Sequence, residues 1–150
     1  MTATTTDRTT ITDTPPTAAP SATPSKAARW GGRVMSGIPL AFLLFDAIGK
    51  LARPAPVVEG TLKLGFEASV IVPLGVVMMV CWVLSVVPRT AVIGTLLFTG
   101  YLGGAVCSHV RVGDPLFSHT LFPVYFGIML WGGLWLRDPR VRTLLPFSSP

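Results

Sequence analysis

The residues best suited to chemistry lie in one short polar segment, residues 108–119, with the sequence SHVRVGDPLFSH. The segment stands between two long apolar runs and carries His109, Arg111, Asp114 and His119. Imidazole titrates near neutral pH and can carry protons, and a carboxylate beside a cation can form an ion pair. Charged groups within or beside a bilayer are costly unless they pair or reach water, so we expect these residues to have partners.

The composition places the chain among integral membrane proteins, with the lipid bilayer as its first partner. Half of its 150 residues are hydrophobic and only 13% are charged, against about 25% in a typical soluble domain. A water-soluble fold of this length could not bury so much apolar surface. The net charge of +5 could suggest a nucleic-acid partner. The basic residues, however, do not form one patch but lie near the ends of the apolar runs. This placement is typical of residues that orient a protein in the membrane, so we expect no nucleic-acid binding.

Four apolar runs have the length of a bilayer-spanning helix of about 20 residues. They cover residues 34–51, 69–87, 91–108 and 120–136. Between the first two, residues 52–66 repeat apolar and charged side chains every four positions, which predicts a short amphipathic helix at the interface. Residues 1–28 are rich in Thr, Ala, Pro and Ser and are predicted to be disordered. The predicted fold is therefore all-α. It has a disordered N-terminal tail and, at residues 29–150, a four-transmembrane-helix bundle with an interfacial amphipathic helix between spans 1 and 2.

Basic residues near the ends of the spans predict the orientation in the cell membrane. Four crossings put both termini of this multi-pass protein on one side. That side receives the larger group of basic residues, namely Lys26, Arg29, Arg33, Arg89, Arg137, Arg140 and Arg142. Since basic flanks favour the cytoplasm, we expect both termini to be cytoplasmic. A C-terminal reporter that is active only outside the cytoplasm would reverse this orientation.

This topology brings several ionisable groups to one level, just beneath the outer membrane surface. Asp46 and Lys50 are four residues apart near the end of span 1 and can pair on one helix face. Either Lys50 or Arg111 could be the cation that Asp46 requires. Glu59 lies on the amphipathic helix, and Tyr101 lies below the polar segment on span 3. We call this set the polar seam, and its members are Asp46, Lys50, Glu59, Tyr101, His109, Arg111, Asp114 and His119.

The sequence leaves two interpretations of the polar seam open. In the first, the seam is an ion-paired network that fixes the register of the helices, because buried charges demand partners whatever their function. In the second, it is an outward-facing pocket for a small polar or redox-active molecule, with His109 and His119 as proton carriers. The ten-residue spacing of the two histidines is not typical of a metal site, so no metal is expected.

Two further patterns concern packing. Gly100 and Gly104 form a GxxxG spacing in span 3, for which we favour packing within the bundle over dimerisation. Cys81 lies about 18 Å below the outer end of span 2, whereas Cys107 lies at the outer end of span 3, so a disulfide between them is not expected. Cys81 is expected to fill the core, and Cys107 is either structural or a reactive thiol.

Three long segments of the chain carry a resemblance to a known family. They are LFDAIGKL, PAPVVEGTLKLGF and PRTAVIGTLLFTGYLGGAVCSHVRVGDPLFSHTLFPVYFGIMLWGGLWLRD. Together they resemble the DoxX-like family of small bacterial membrane proteins, over about residues 33–145. The resemblance implies a four-helix membrane bundle and brings no catalytic residues with it. More distant relatives, which gave the family its name, are linked to redox complexes, including thiosulfate oxidation with quinone.

Three functions from different classes follow. The preferred one is a membrane scaffold or partner subunit that docks another protein. The second is a membrane component of a redox system that handles quinone or a sulfur compound. The sequence has no haem, flavin or iron–sulfur motif, which weakens autonomous redox catalysis but not quinone binding. The third is small-molecule transport, which is weakened because no span carries a charge at a break midway through the bilayer.

Overall fold

The computed structural model describes residues 25–144, and this part of the chain is helical without strands. Its α-helices are α1 (Lys26–Ala52), α2 (Ala55–Lys63), α3 (Ile71–Val86), α4 (Ala91–Val112), α5 (Phe122–Arg137) and α6 (Pro139–Leu144). A 3₁₀ turn at Ala68–Val70 leads into α3, and a π-helical turn at Leu116–Thr120 leads into α5. Residues 1–24 of the predicted tail lie outside the described residues, and residues 26–28 form the first turn of α1.

Four helical segments are long and apolar enough to cross a membrane, which confirms the predicted fold class. They are Lys26–Ala52, Ala68–Val86, Ala91–Val112 and Leu116–Arg137. The third segment continues four residues beyond the predicted span, so the first part of the polar segment is helical. The short helix α2 stands between spans 1 and 2, where the amphipathic helix was predicted.

Local chemistry explains where the helices begin and end. The Ser25 hydroxyl caps α1 by accepting a hydrogen bond from the Ala28 N–H at 3.1 Å, which satisfies one of the free donors of the first turn. Arg53 ends α1 in the left-handed region at φ 55°, and the following Pro54 prevents the helix from continuing. Gly113 ends α4 at φ 73°, a conformation that glycine adopts without steric cost.

The four spans form a ring in which α1 neighbours α3 and α5, and α4 neighbours the same two helices. Buried side chains from all four spans fill the centre, including Leu43, Met78, Phe98 and Leu130. Many large apolar side chains point outward instead, among them Phe45, Val80, Leu96 and Ile128. An outer surface of this kind is suited to lipid and not to water.

Three of the four neighbouring helix pairs approach closely at a glycine. Between α1 and α5, a Cβ added at Gly32 would lie 2.6 Å from the Gly133 carbonyl oxygen. Between α1 and α3, a Cβ at Gly75 would lie 2.9 Å from the Lys50 Cβ. Between α3 and α4, a Cβ at Gly94 would collide with the Ser85 backbone nitrogen. These pairs can pack closely only because the glycines lack side chains.

The expected packing of Gly100 and Gly104 within the bundle is wrong. Both residues are exposed, and a Cβ added at either would meet no atom of the described residues within 4 Å. The inward face of α4 instead carries Gly94, Phe98 and Leu102, which are four residues apart and buried. Because Phe98 and Leu102 fill the core, the face of α4 that carries Gly100 and Gly104 points outward.

The two ends of the bundle have different compositions. We call the end where α1 terminates and α3 begins the seam end, because it also holds α2 and the π-helical turn. We call the opposite end, where α1 begins and α5 terminates, the basic end. Successive spans alternate in direction, so the residues of the polar seam lie in or toward the seam end, except Tyr101, which lies midway along α4.

Candidate functional site

An ion pair on α1 forms the deepest charged part of the polar seam. The Lys50 Nζ donates a hydrogen bond to the Asp46 Oδ1 at 2.5 Å, and the side chains are 14% and 31% exposed, respectively. The Lys50 Cβ packs against Gly75 of α3, so the neighbouring span covers the Lys50 stem. The predicted pairing of these two residues is confirmed.

Tyr101 faces this ion pair across the bundle from α4. Its side chain is partly buried against the central core and lies within electrostatic reach of Asp46. It is eight residues before His109, a separation of roughly 12 Å along the helix axis. Tyr101 therefore belongs with Asp46 and Lys50 and not with the histidines.

Arg111 does not pair with Asp46, although the sequence made it a candidate. Its Nη2 donates to the Leu64 backbone carbonyl at 2.6 Å. Its guanidinium carbon lies 5.9 Å from the centroid of the Phe66 ring, within the range of a cation–π contact. Arg111 thus ties the segment after α2 to the end of α4. A backbone acceptor leaves no mark in the pattern of side chains, so the sequence could not reveal this partner.

A second pair joins the end of α4 to the turn that follows it. His109 lies in the last turns of α4. Gly113 ends the helix in a left-handed backbone conformation, and the chain then turns so that the Asp114 side chain lies beside His109. The His109 Nδ1 lies 2.6 Å from the Asp114 Oδ2. The ring of His119 lies 6.1 Å from the ring of His109, and its Nδ1 is 2.8 Å from the Ser118 hydroxyl.

The remaining seam residue, Glu59, is exposed on α2 and makes no ion pair within residues 25–142. The seam therefore consists of separate contacts: Asp46 with Lys50, Arg111 with the Leu64 carbonyl, and His109 with Asp114. Within the part of the chain that the structure describes, no three His, Cys, Asp or Glu side chains are grouped to hold a metal ion.

The two cysteines are separate in the structure. Both are free, with Cys81 buried in α3 and Cys107 exposed on α4. Cys81 packs in the central core, which confirms its predicted role as a core residue.

A groove between α4 and α5 is the feature that the sequence did not predict. Its volume is about 780 Å³, and its walls are almost entirely apolar. The lining residues include Thr99, Leu102, Gly103 and Val106 of α4, and Pro123, Gly127, Ile128 and Trp131 of α5. The Trp131 Nε1 donates to the Thr99 hydroxyl at 2.9 Å and bridges the two helices.

Glycines on both walls leave the groove open. A Cβ added at Gly103 would meet no atom of the described residues within 4 Å, and one at Gly127 would meet only the Leu102 Cδ1, at 4.0 Å. The α4–α5 pair therefore lacks the close glycine contact of the other three pairs. Glycines that do not face a packed neighbour are the signal that could have located the groove, but only once the rotation of each helix is known.

Comparison with protein families identifies the family of the chain. The profile of the DoxX-like family matches residues 34–133, a range that contains every residue of the polar seam and nearly all of the groove. No curated protein and no solved structure shows significant similarity to the chain.

Proposed function

The chain belongs to the DoxX-like family, and we propose that it serves as a partner subunit of a larger membrane assembly. In this proposal, the α4–α5 groove receives a transmembrane helix of another membrane protein. One observation carries the proposal: three helix pairs of the ring close at a glycine, whereas Gly103 of α4 and Gly127 of α5 line opposite walls of an apolar groove without a close contact between the two helices.

The physics of association in lipid supports a helix as the occupant. Apolar surfaces gain little from meeting each other within a bilayer, so transmembrane helices associate through close packing around small residues. Gly103 and Gly127 offer such positions on opposite walls. Along α5 the groove extends from Pro123 to Trp135, a length of about 18 Å, or three to four helical turns.

In this proposal, the polar seam has a structural role at the outer surface. Asp46 and His109 each have an ionisable partner, and Arg111 is bound to a backbone carbonyl. The Arg111 contact ties the segment after α2 to the end of α4, and the two ion pairs give buried or half-buried charges a partner within α1 and within the turn after α4. The excess of basic residues at the opposite end supports cytoplasmic termini.

A redox component that handles quinone is the second candidate, and the His109–Asp114 pair favours it. A carboxylate that fixes the orientation of an imidazole is a common arrangement for proton transfer. In this alternative, the groove would hold the apolar tail of the quinone and not a protein helix.

Filling the groove tests which occupant is correct. Gly103→Leu places a side chain in the groove at a position where an added Cβ meets no atom of the described residues within 4 Å, and overpacking of an interface typically costs about 1–3 kcal/mol. The matched control is Ala41→Leu, which places the same side chain on the exposed face of α1. After extraction in mild detergent, the wild type and the control should migrate well above the 16.0 kDa chain on native gels. Gly103→Leu should shift toward the size of the isolated chain.

Two results would decide against the partner proposal. If Gly103→Leu leaves the native size unchanged, no protein helix occupies the groove. If the size is unchanged but co-extracted quinone is lost from Gly103→Leu and retained in Ala41→Leu, the redox alternative replaces the partner role.

A further inference from the structure

A small cavity with arginine side chains opens at the basic end, far along the bundle from the polar seam. Its volume is about 210 Å³. Its charged lining consists of Arg29 and Arg33 of α1, Arg137 at the end of α5, and Asp138. Apolar residues of the α3–α4 turn region and of α5 complete the walls, namely Val86, Pro88, Ala91 and Leu134.

The close packing of α1 on α5 places the arginines together. Arg29 and Arg33 are one turn apart and share a face of α1. Beside them, Gly32 allows α5 to approach so closely that an added Cβ would lie 3.3 Å from the Arg137 Cβ. Arg137 lies within electrostatic reach of both Arg33 and Asp138. Three cationic side chains thus surround one cavity with a single carboxylate.

The arginines that line this cavity form no ion pair with another described residue. Among the described residues, ion pairs join only Lys50 to Asp46 and His109 to Asp114. The first turn of α1 contains no acidic residue, although the positive end of the helix dipole favours one there. The Asp138 Oδ1 accepts a hydrogen bond from the Arg140 backbone N–H at 2.9 Å, which occupies one of its two oxygens. An anion from outside the chain would relieve the repulsion between the arginines.

We propose that this cavity binds the phosphate group of an anionic phospholipid head group. Guanidinium groups bind phosphate through paired hydrogen bonds with defined geometry. The cavity lies where the spans end, and the neighbouring Trp30 is 66% exposed, as is typical of tryptophan at a membrane interface. Basic pockets between transmembrane helices are known to bind lipid head groups.

The size and position of the cavity support a lipid as the source of the phosphate. At about 210 Å³, the cavity is smaller than the pockets of about 300–1,000 Å³ that enclose whole drug-sized ligands. It suits a head group whose acyl chains remain in the bilayer. The charged residues of the cavity lie outside residues 34–133, the range that matches the family profile.

The experiment measures lipid binding by the full chain in nonionic detergent. Native mass spectrometry and thermal shift are recorded with phosphatidylglycerol, with phosphatidylcholine and with inorganic phosphate. The test variant is Arg33→Gln/Arg137→Gln. The control is Arg53→Gln/Lys63→Gln, which removes the same charge from the seam end. Phosphatidylglycerol should bind and stabilise the wild type and the control, and its affinity for the test variant should fall about tenfold or more.

A third variant and two ligand comparisons show whether a loss of binding comes from misfolding and whether the bound phosphate belongs to a lipid. Arg29→Gln changes only an exposed side chain in the first turn of α1, so it should fold normally and lose part of the affinity. If inorganic phosphate at millimolar concentration stabilises the wild type as strongly as phosphatidylglycerol does, the lipid source is overturned. Equal responses to phosphatidylcholine and phosphatidylglycerol, or equal losses in the test and control variants, would overturn the site itself.

Discussion

Lys50 and Asp46 show how a membrane helix carries two charges where few are tolerated. The Lys50 Nζ and the Asp46 Oδ1 are 2.5 Å apart, and both side chains are more than half buried. A partly buried carboxylate that loses its cation retains the cost of desolvation without the compensating attraction. The charge of Arg111 is stabilised in a different way, because its guanidinium donates a hydrogen bond to the backbone carbonyl oxygen of Leu64.

Double-mutant cycles should separate these two arrangements. Lys50→Met should lower the free energy of unfolding by about 1–3 kcal/mol, because it leaves Asp46 unpaired, and Lys50→Met/Asp46→Leu should recover most of that loss. The cycle between Asp46→Leu and Arg111→Met should be additive within about 0.5 kcal/mol, since these residues share no contact. Unfolding in mixed detergent micelles provides the measurement. Strong coupling between Asp46 and Arg111 would contradict the assigned partners.

At the scale of helices, glycines decide which faces meet. Gly94 brings the start of α4 onto the end of α3, and Gly32 and Gly133 bring α1 onto α5. Gly100 has the same residue type and lies on the same helix as Gly94, yet it faces outward. The consequence of a substitution should therefore depend on the facing element and not on the presence of a glycine motif.

Alanine substitutions at two glycines of α4 should have opposite effects. Gly94→Ala should destabilise the bundle by about 1–3 kcal/mol, since the new Cβ collides with the Ser85 backbone and forces the helices apart. Gly100→Ala should be neutral or stabilising by up to about 1 kcal/mol, because alanine is the better helix former and meets open space. Denaturation of both variants in micelles gives the comparison. A larger loss at Gly100 would show that the rotation of α4 is wrong.

The helices themselves were largely predictable, and their relative rotation was not. Long apolar runs identified all four spans, because a bilayer imposes the length of a crossing helix. The spacing of Asp46 and Lys50 also predicted their pairing, since both lie on one helix. The partner of Arg111 and the outward direction of Gly100 depend on contacts between helices. A single sequence contains no direct record of such contacts, and the α4–α5 groove was missed for the same reason.

At the scale of the whole molecule, the four-helix ring has one open side and two unlike ends. The seam end holds ion pairs between its own residues, whereas Arg29, Arg33 and Arg137 at the basic end form no ion pair with another described residue. The open side between α4 and α5 is apolar and faces the bilayer. This distribution fits a subunit that is held at the two membrane surfaces by its ends and binds a partner laterally, within the membrane.

Site-specific photo-crosslinking in native membranes tests the docking proposal most directly. A photoreactive residue is placed at Ile128 on the groove, or at Val80 on α3 outside it, since the two positions are comparably exposed at 62% and 51%. The proposal predicts that Ile128 gives one discrete adduct with another membrane protein, through a transmembrane segment of that protein, and that Val80 does not. Adducts with lipid or with a second copy of this chain alone, or the same protein adduct from both positions, would contradict it.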